Sequence, residues 1–135
     1  MDTISVASEL SEINKIRAFL KKSLAQFPLS EDDYYIIELS LLEICINIIR
    51  YAYPGNKGEI RLKAWRDKKS VFLEIRDDGI PFDPRKTKEP NLENILSTGK
   101  KGGFGIFLAR KLMDGFEYKR ENSQNVLTIH KAIEN

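Results

Sequence analysis

The sequence has little of what several classes of protein require. Its single cysteine, Cys45, excludes an intramolecular disulfide and a cysteine-based zinc site, and it fits a reducing compartment. No apolar run approaches the roughly 20 residues of a membrane span. The first residues lack the basic start and long apolar core of a signal peptide. A net charge of +2 is too small to indicate a nucleic-acid-binding protein. We therefore expect a soluble, cytoplasmic protein that binds neither membranes nor nucleic acid.

What is present is typical of a globular domain. The 135 residues are 41% hydrophobic and 31% charged. A chain of this length can bury a core without disulfides or structural metal. We expect one domain over residues 1–135, and we find no internal repeat or low-complexity segment in it.

Two periodicities predict the secondary structure. Apolar residues at helical spacing predict helices over 8–27, 30–53 and 104–115. Alternation of apolar and polar residues predicts strands over 2–7, 58–66, 70–77, 116–121 and 125–131. Ser8 and Ser11 are both candidate N-caps of the first helix, and Ser30 is the candidate N-cap of the second.

The order of these elements predicts the fold class. Strands come as tight pairs, joined by turns at 67–69 and around Asn122–Ser123, which favours antiparallel hairpins. Helices alternate with the hairpins and would cover one face of the sheet. The sequence therefore predicts an α+β two-layer sandwich, and a Rossmann arrangement of parallel strands does not fit.

The second predicted helix carries polar residues through an apolar segment. Glu43, Asn47 and Arg50 are spaced by four and three residues, so they share one side of an α-helix. This stripe could simply face water, but the rest of 36–49 is mostly apolar, as in a buried helix. We interpret the stripe as facing a cavity, a ligand or a partner group, because an uncompensated buried carboxylate is costly. A carboxylate and an amide one turn apart suit a metal ion and a transferable proton.

A second candidate site lies where the strand 70–77 ends. Asp77 shares the parity of Leu73 and Ile75, so it should leave the strand on the core side, whereas Asp78 should point away. A core-side carboxylate can accept a hydrogen bond from a buried ligand donor such as an exocyclic amine. Gly79 would let a ligand approach the backbone, although an Asp-Gly turn is also common in plain loops.

The third candidate site is a glycine-rich segment, 99–105, ahead of the third predicted helix. Free backbone N–H groups at a helix N-terminus bind anions, and Lys100 and Lys101 could add positive charge. The pattern matches neither a P-loop nor a Rossmann fingerprint. Because the polar stretch at about 83–102 is long for a compact domain, we interpret it as a glycine-hinged lid over a ligand rather than as a plain hinge, with a short helix predicted at 91–97.

These features occur in one order: Glu-x-x-x-Asn on a helix, Asp-x-Gly-x-Pro after a strand and Gly-x-Gly at a helix start. That order resembles the ATPase superfamily of gyrase B, the heat-shock chaperone, sensor histidine kinases and the mismatch-repair ATPase. LLEICINIIRYAYP, IRDDGIPFDP, GGFGIFLARKLMD and NVLTIHK are most similar to the anti-sigma factor serine kinases of bacteria. The likeness covers about residues 5–131. It implies a mixed, mostly antiparallel sheet covered on one face by helices, with ATP between the helices and the lid.

The resemblance also implies a role for each matched position. Glu43 would be the general base and Asn47 the magnesium ligand. Arg50 is a departure, because many relatives have lysine there, but it keeps the positive charge and could offer it to phosphate. Asp77 would bind the adenine amine beside Gly79. The remaining positions expected to bind nucleotide are Lys101, Gly102, Gly103, Phe104, Gly105 and Thr128. Alternation along NVLTIHK does not settle which face of the sheet the threonine takes.

The activity implied by the resemblance is that of an ATP- and Mg²⁺-dependent serine/threonine protein kinase. It would phosphorylate a small anti-sigma factor antagonist and sequester an RNA polymerase sigma factor, and homodimers are common in the group. The alternative is a nucleotide-gated anti-sigma binding module with little or no phosphoryl transfer. A sensor histidine kinase is disfavoured because the only histidine, His130, lies in a predicted strand. A chaperone or topoisomerase clamp would need further domains.

Overall fold

The structure, a computed structural model, describes residues 2–86 and 104–133. Its helices are α1 (Ile13–Leu24), α2 (Glu31–Asn47) and α3 (Phe104–Leu112). Its strands are β1 (Asp2–Ala7), β2 (Glu59–Arg66), β3 (Ser70–Asp77), β4 (Gly115–Glu121) and β5 (Gln124–Ala132). It also contains 3-10 turns at Leu10–Glu12 and Pro84–Lys86, and a π-helical turn at Ile48–Ala52. The helix predicted at 91–97 and most of the predicted lid lie outside the described residues.

The five strands of the described ranges form one sheet in the order β1-β2-β3-β5-β4, and each pairing is antiparallel. Both predicted hairpins are confirmed. In the first turn, the Asp67 carboxylate accepts hydrogen bonds from the backbone N–H groups of Lys69 and Ser70 at 2.7 and 2.8 Å. In the second, Asn122 and Ser123 have φ of 50° and 62°. Positive φ at both central residues matches the twist of the flanking strands.

The helices cover one face of this sheet, as predicted. Ile60, Leu62 and Ala64 of β2 point to that face, and each is at most 2% exposed. They belong to one apolar cluster with residues of α1 and α2, including Ile16 and Leu41. Burying a large aliphatic side chain stabilises the fold by about 1.5–3 kcal/mol. This layer therefore fixes α2 firmly over the strand ends.

The helix starts are confirmed in one case and corrected in the other. Ser30 caps α2, because its Oγ accepts a hydrogen bond from the Asp33 N–H at 3.1 Å. Neither Ser8 nor Ser11 caps α1, which begins later than predicted, at Ile13. Ser8 instead accepts a hydrogen bond from the Gly58 N–H at 2.9 Å, which ties the end of β1 to the start of β2.

Helix α2 does not continue as a regular α-helix to Tyr53. It ends at Asn47, and the next five residues form the π-helical turn. Hydrogen bonds from i to i+5 widen such a turn, so each residue advances by a smaller angle. Arg50 lies within this turn and is exposed, so it does not continue the α-helical spacing that relates Glu43 to Asn47. The α-helical part of the predicted stripe therefore ends at Asn47.

All the described helices are short. The longest, α2, has 17 residues. Within the two described ranges, no helix combines the length and the hydropathy needed to cross a bilayer.

Candidate functional site

An apolar pocket lies between the C-terminal half of α2, the helix α3 and the core side of the sheet. Its aliphatic walls come from Ile44, Ile48, Ile75, Ile106 and Leu127. Its polar and aromatic lining includes Asn47, Asp77, Asn125, Tyr51, Phe82 and Tyr118. Hydrocarbon walls with a few placed polar groups are typical of a small-molecule site. The structure thus brings Asn47 and Asp77, predicted as separate candidates, into one pocket.

Asp77 is the buried carboxylate of this pocket. It is the last residue of β3 and is only 4% exposed, which confirms the predicted core-side orientation. Its Oδ1 accepts hydrogen bonds from the Gly79 N–H and from Nδ2 of Asn125, both at 2.9 Å. Its Oδ2 receives no hydrogen bond from any residue that the structure describes. Burial raises the pKa of this carboxyl, and the two donors act in the opposite direction.

Gly79 allows the loop after β3 to lie on the π-helical turn. A Cβ at this position would overlap the backbone and the side chain of Ala52. The next residue, Ile80, donates its backbone N–H to the Ala52 carbonyl at 2.8 Å. The glycine is therefore required by the approach of two backbones, and it places the loop along the edge of the pocket.

Glu43 lies beside α3 and is not among the residues that line the pocket. It is half-buried, and its carboxylate occupies the space in which a Cβ of Gly105 would lie. Gly105 is the second residue of α3. A helix N-terminus carries free N–H groups and a partial positive charge, which favour an anion. Glu43 and Asn47 are one turn apart on α2, so the carboxylate and the amide reach the same region.

Several predicted site residues are not brought to this pocket. Thr128 pairs with Glu74 of β3 and Glu117 of β4, on the face of the sheet opposite the helices. The structure therefore corrects its expected place near the adenine pocket. Arg50 is exposed and outside the pocket lining. The predicted positions Lys101, Gly102 and Gly103, and the side chain of Phe104, lie outside what the structure describes.

Asn125 is a site residue that the sequence analysis missed. It is 5% exposed and stands directly opposite Asp77 in the β3–β5 register. Its parity with the buried residues Leu127 and Ile129 was the available signal, because it places the side chain on the core face. Tyr118 of β4 was missed as well, because the position of β4 beside β5 must be known before its side chain can be assigned to the pocket.

Comparison with known proteins identifies the family. A model described as histidine kinase-like ATPase domain matches residues 6–131. The chain is 32% identical over 103 residues to the serine/threonine-protein kinase BtrW of Bordetella bronchiseptica, covering 74% of this chain and 72% of BtrW. It is 25% identical over 100 residues to the serine-protein kinase RsbW of Bacillus thuringiensis, covering 71% of this chain and 62% of RsbW.

Solved structures confirm the fold. The catalytic domain of the histidine kinase ThkA matches with a TM-score of 0.53 and 15% identity, over 98% of each chain. The Acinetobacter baumannii histidine kinase AdeS matches with a TM-score of 0.51 and 18% identity, over 100% of this chain and 70% of the other. The α+β sandwich predicted from the sequence is the one these domains share. Taken with the family match over residues 6–131, the chain belongs to the histidine kinase-like ATPase domain family, in its group of anti-sigma-type serine/threonine protein kinases.

Proposed function

We propose that this chain transfers the γ-phosphoryl group of Mg²⁺-bound ATP to a serine or threonine hydroxyl of a small anti-sigma factor antagonist. In the same proposal the chain sequesters an RNA polymerase sigma factor. It would therefore act in the cytoplasm, where the polymerase is found. The observation that carries the proposal is the meeting of Asn47 and Asp77 in one apolar pocket, with Glu43 against the first turn of α3.

The Asp77 end of the pocket fits an adenine ring. Aliphatic side chains such as Ile75 and Leu127 offer apolar surface to a flat heterocycle. Because the described residues use only one oxygen of Asp77, the other can accept a hydrogen bond from an exocyclic amine. A hydrogen bond to a carboxylate in a poorly solvated site is stronger than one in water. This end would therefore fix the orientation of the nucleotide.

The Asn47 end fits the phosphates and their metal. Mg²⁺ is usually held by one or two protein oxygens together with substrate phosphates and water, and the side-chain oxygen of Asn47 is such a ligand. The first turn of α3 lies beside Glu43 at this end, where backbone N–H groups favour phosphate. When bound, ATP supplies the transferable group, and Mg²⁺ neutralises charge on its phosphates.

Glu43 is assigned the proton transfer. Its carboxylate would accept the proton of the incoming hydroxyl while the hydroxyl oxygen bonds to phosphorus and the bond to the ADP oxygen breaks. Its half-buried position leaves it open to a protein substrate on one side. The remaining catalysis would come from positioning and electrostatics, as in other phosphoryl transfers. The partner classes rest on the family and on relatives named as serine and serine/threonine kinases.

The proposal is tested with labelled ATP and a candidate antagonist protein. Wild type should bind ATP in the presence of Mg²⁺ and label a serine or threonine of the antagonist. Glu43→Ala should lower the transfer rate at least about 100-fold and retain ATP binding. Asn47→Ala should lose the Mg²⁺-dependent part of ATP affinity. Glu31→Ala, at an exposed glutamate in the first turn of the same helix, is the matched control. It should change neither the transfer rate nor the Mg²⁺-dependent affinity for ATP.

The outcomes separate the two candidate functions. ATP binding without label in wild type would favour the nucleotide-gated binding module. Wild-type ATP affinity that is equal with and without Mg²⁺ would remove the metal role of Asn47. Failure of the wild type to bind ATP at all would overturn the proposal.

A further inference from the structure

Asn125 uses every hydrogen-bonding position of its side chain within the protein. Its Nδ2 donates to Oδ1 of Asp77 at 2.9 Å and to the Ile80 carbonyl at 2.8 Å. Its Oδ1 accepts from the Phe82 N–H at 3.2 Å and from the Tyr118 hydroxyl at 2.5 Å. An amide side chain has two donor hydrogens and two acceptor lone pairs. Asn125 therefore has no capacity left for a ligand, although it lines the pocket.

Tyr118 fixes the direction of this amide. Its hydroxyl and the Phe82 N–H both donate to the same oxygen, so the oxygen must lie on their side and the NH₂ group on the side of Asp77. A flipped amide would place its donors against donors and its oxygen against the Asp77 carboxylate, and both arrangements are unfavourable. The ring of Tyr118 also lies under the Arg85 guanidinium, 5.8 Å from its centroid.

We propose that Asn125 and Tyr118 form a positioning pair that makes the pocket selective for a purine with an exocyclic amine. By occupying Oδ1 of Asp77 and holding the 80–82 backbone, the pair presents Oδ2 as the acceptor for that amine. This inference rests on the proposed ATP-dependent function and adds to it the residues that set base selectivity. Neither residue touches the reacting atoms, so both act through Asp77 and the loop.

Charged and titratable groups on three neighbouring elements also face Asp77. Besides the effect of burial, the positive charge of Arg120 on β4 lowers the pKa of Asp77, and the negative charge of Asp78 raises it. Burial, and with it the charge of Asp77, in turn raises the pKa of Cys45 on α2 and of Tyr53 after the π-helical turn. None of these groups donates a hydrogen bond to the Asp77 carboxylate. Among the side chains that the structure describes, Asn125 is thus the direct partner of Asp77.

The test compares the dissociation constants of ATP and inosine triphosphate. The two differ at the purine 6-position, where inosine carries a carbonyl in place of the amine. Wild type should prefer ATP by more than about tenfold, as expected for a charged hydrogen bond. Tyr118→Phe removes one hydroxyl and keeps the ring. It should weaken ATP binding by about threefold to tenfold and leave inosine triphosphate binding unchanged, so that the ratio falls toward one.

Asn125→Asp provides a second test, in which the preference for ATP over inosine triphosphate should depend on pH. The new carboxyl group would face the Asp77 carboxylate, and two such groups share a proton. While that proton is held, it can replace the lost amide donor. When it is lost at higher pH, the two charges repel. The preference of Asn125→Asp for ATP should therefore fall by about tenfold or more between pH 6 and pH 8, whereas the wild-type preference stays constant.

Tyr35→Phe is the matched control, because Tyr35 is 57% exposed on α2 and lies outside the pocket lining. It should retain the wild-type ratio. If Tyr118→Phe and Asn125→Asp keep the wild-type ratio at every pH, or weaken both nucleotides equally, the positioning role is overturned and the proposed kinase stands. If the wild type binds neither nucleotide, or binds both equally, the proposed function fails at the adenine site and the inference fails with it.

Discussion

The carboxylate of Glu43 packs directly against Cα of Gly105, so a residue of α2 and the second residue of α3 share one small space. The contact explains why a glycine stands in the first turn of this helix, although glycine is a poor helix former. It also joins two sequence motifs that are 62 residues apart, since 105 minus 43 is 62. The position of the candidate base therefore depends on the side chain at residue 105.

Gly105→Ala should consequently be slightly destabilising. The added methyl group must displace the Glu43 side chain, which is flexible and half-buried, so the loss should be smaller than the roughly 1–3 kcal/mol that overpacking costs in a rigid core. Transfer activity should fall as well, because a displaced carboxylate no longer meets the substrate hydroxyl. Denaturant titration gives the free energy of unfolding, and the labelling assay gives the transfer rate.

A double-mutant cycle identifies the cause of this destabilisation. In the Glu43→Ala background the space is empty, so Gly105→Ala should be neutral or should stabilise by up to about 1 kcal/mol through helix propensity. The same loss of stability in both backgrounds would show that the methyl group clashes with something other than Glu43.

Asp77 and Asp78 give a second prediction, because these sequence neighbours have opposite environments. Asp77 is buried, and burial raises its pKa. Asp78 is exposed and pairs with the Arg61 guanidinium through two hydrogen bonds of 3.1 and 3.0 Å, and this pairing lowers its pKa. The folded protein therefore holds the Asp77 proton more tightly, and the Asp78 proton less tightly, than the unfolded chain does.

The two shifts have opposite signs in the dependence of stability on pH. For Asp77, the free energy of unfolding falls as pH rises from the unfolded pKa, about 3.9, to the raised folded value. For Asp78, the contribution is present above about 3.9 and is lost as pH falls through the lowered folded value. At neutral pH, Asp77 is thus a destabilising group and Asp78 a stabilising one.

Asp77→Asn should therefore stabilise the nucleotide-free protein at pH 7. The oxygen of the new amide can still accept from Gly79 and Asn125, while the buried charge is gone. ATP affinity should fall by at least about tenfold, since a hydrogen bond to a charged group is worth about 1.5–3 kcal/mol.

Asp78→Asn is the control and should lower stability at pH 7 with little effect on ATP affinity. Urea titrations between pH 3 and pH 8 and ATP titrations at pH 7 make the comparison. Destabilisation by Asp77→Asn with unchanged ATP affinity would contradict both assignments.

The sequence predicted the elements and several side-chain directions because these depend on local periodicity. The two-residue period of β3 placed Asp77 inside and Asp78 outside, and both are confirmed. Ser30 was found as a cap because it precedes three acidic residues of a helix start. Such features depend on residues only a few positions apart.

The failures lie where local periodicity changes or is ambiguous. The end of α2 was predicted too late because the helix widens into a π-helical turn, and no residue pattern indicated the change. Thr128 was ambiguous because Asn125, Val126 and Leu127 are all buried, so the strand does not alternate clearly at its start. The Asn125 contacts could not be predicted because they join strands through a register that is set by the whole sheet.

Cys45 provides the last prediction, because its thiol lies in the middle of the α2 core and is 0% exposed. Burial, with a smaller contribution from the Asp77 charge, raises its pKa to about 12. Only thiolates react readily with disulfide reagents, so native Cys45 should react at pH 8 more than about 1,000-fold more slowly than the unfolded chain does in urea. Labelling would then require opening of the fold, and under the proposed function ATP, as a ligand of the folded state alone, should slow it further. Ala18→Cys supplies the control, because residue 18 is exposed on α1 and the added thiol should react at once. Rapid labelling of both thiols in this variant, under conditions in which its far-UV circular dichroism is native, would show that α2 is not packed as described.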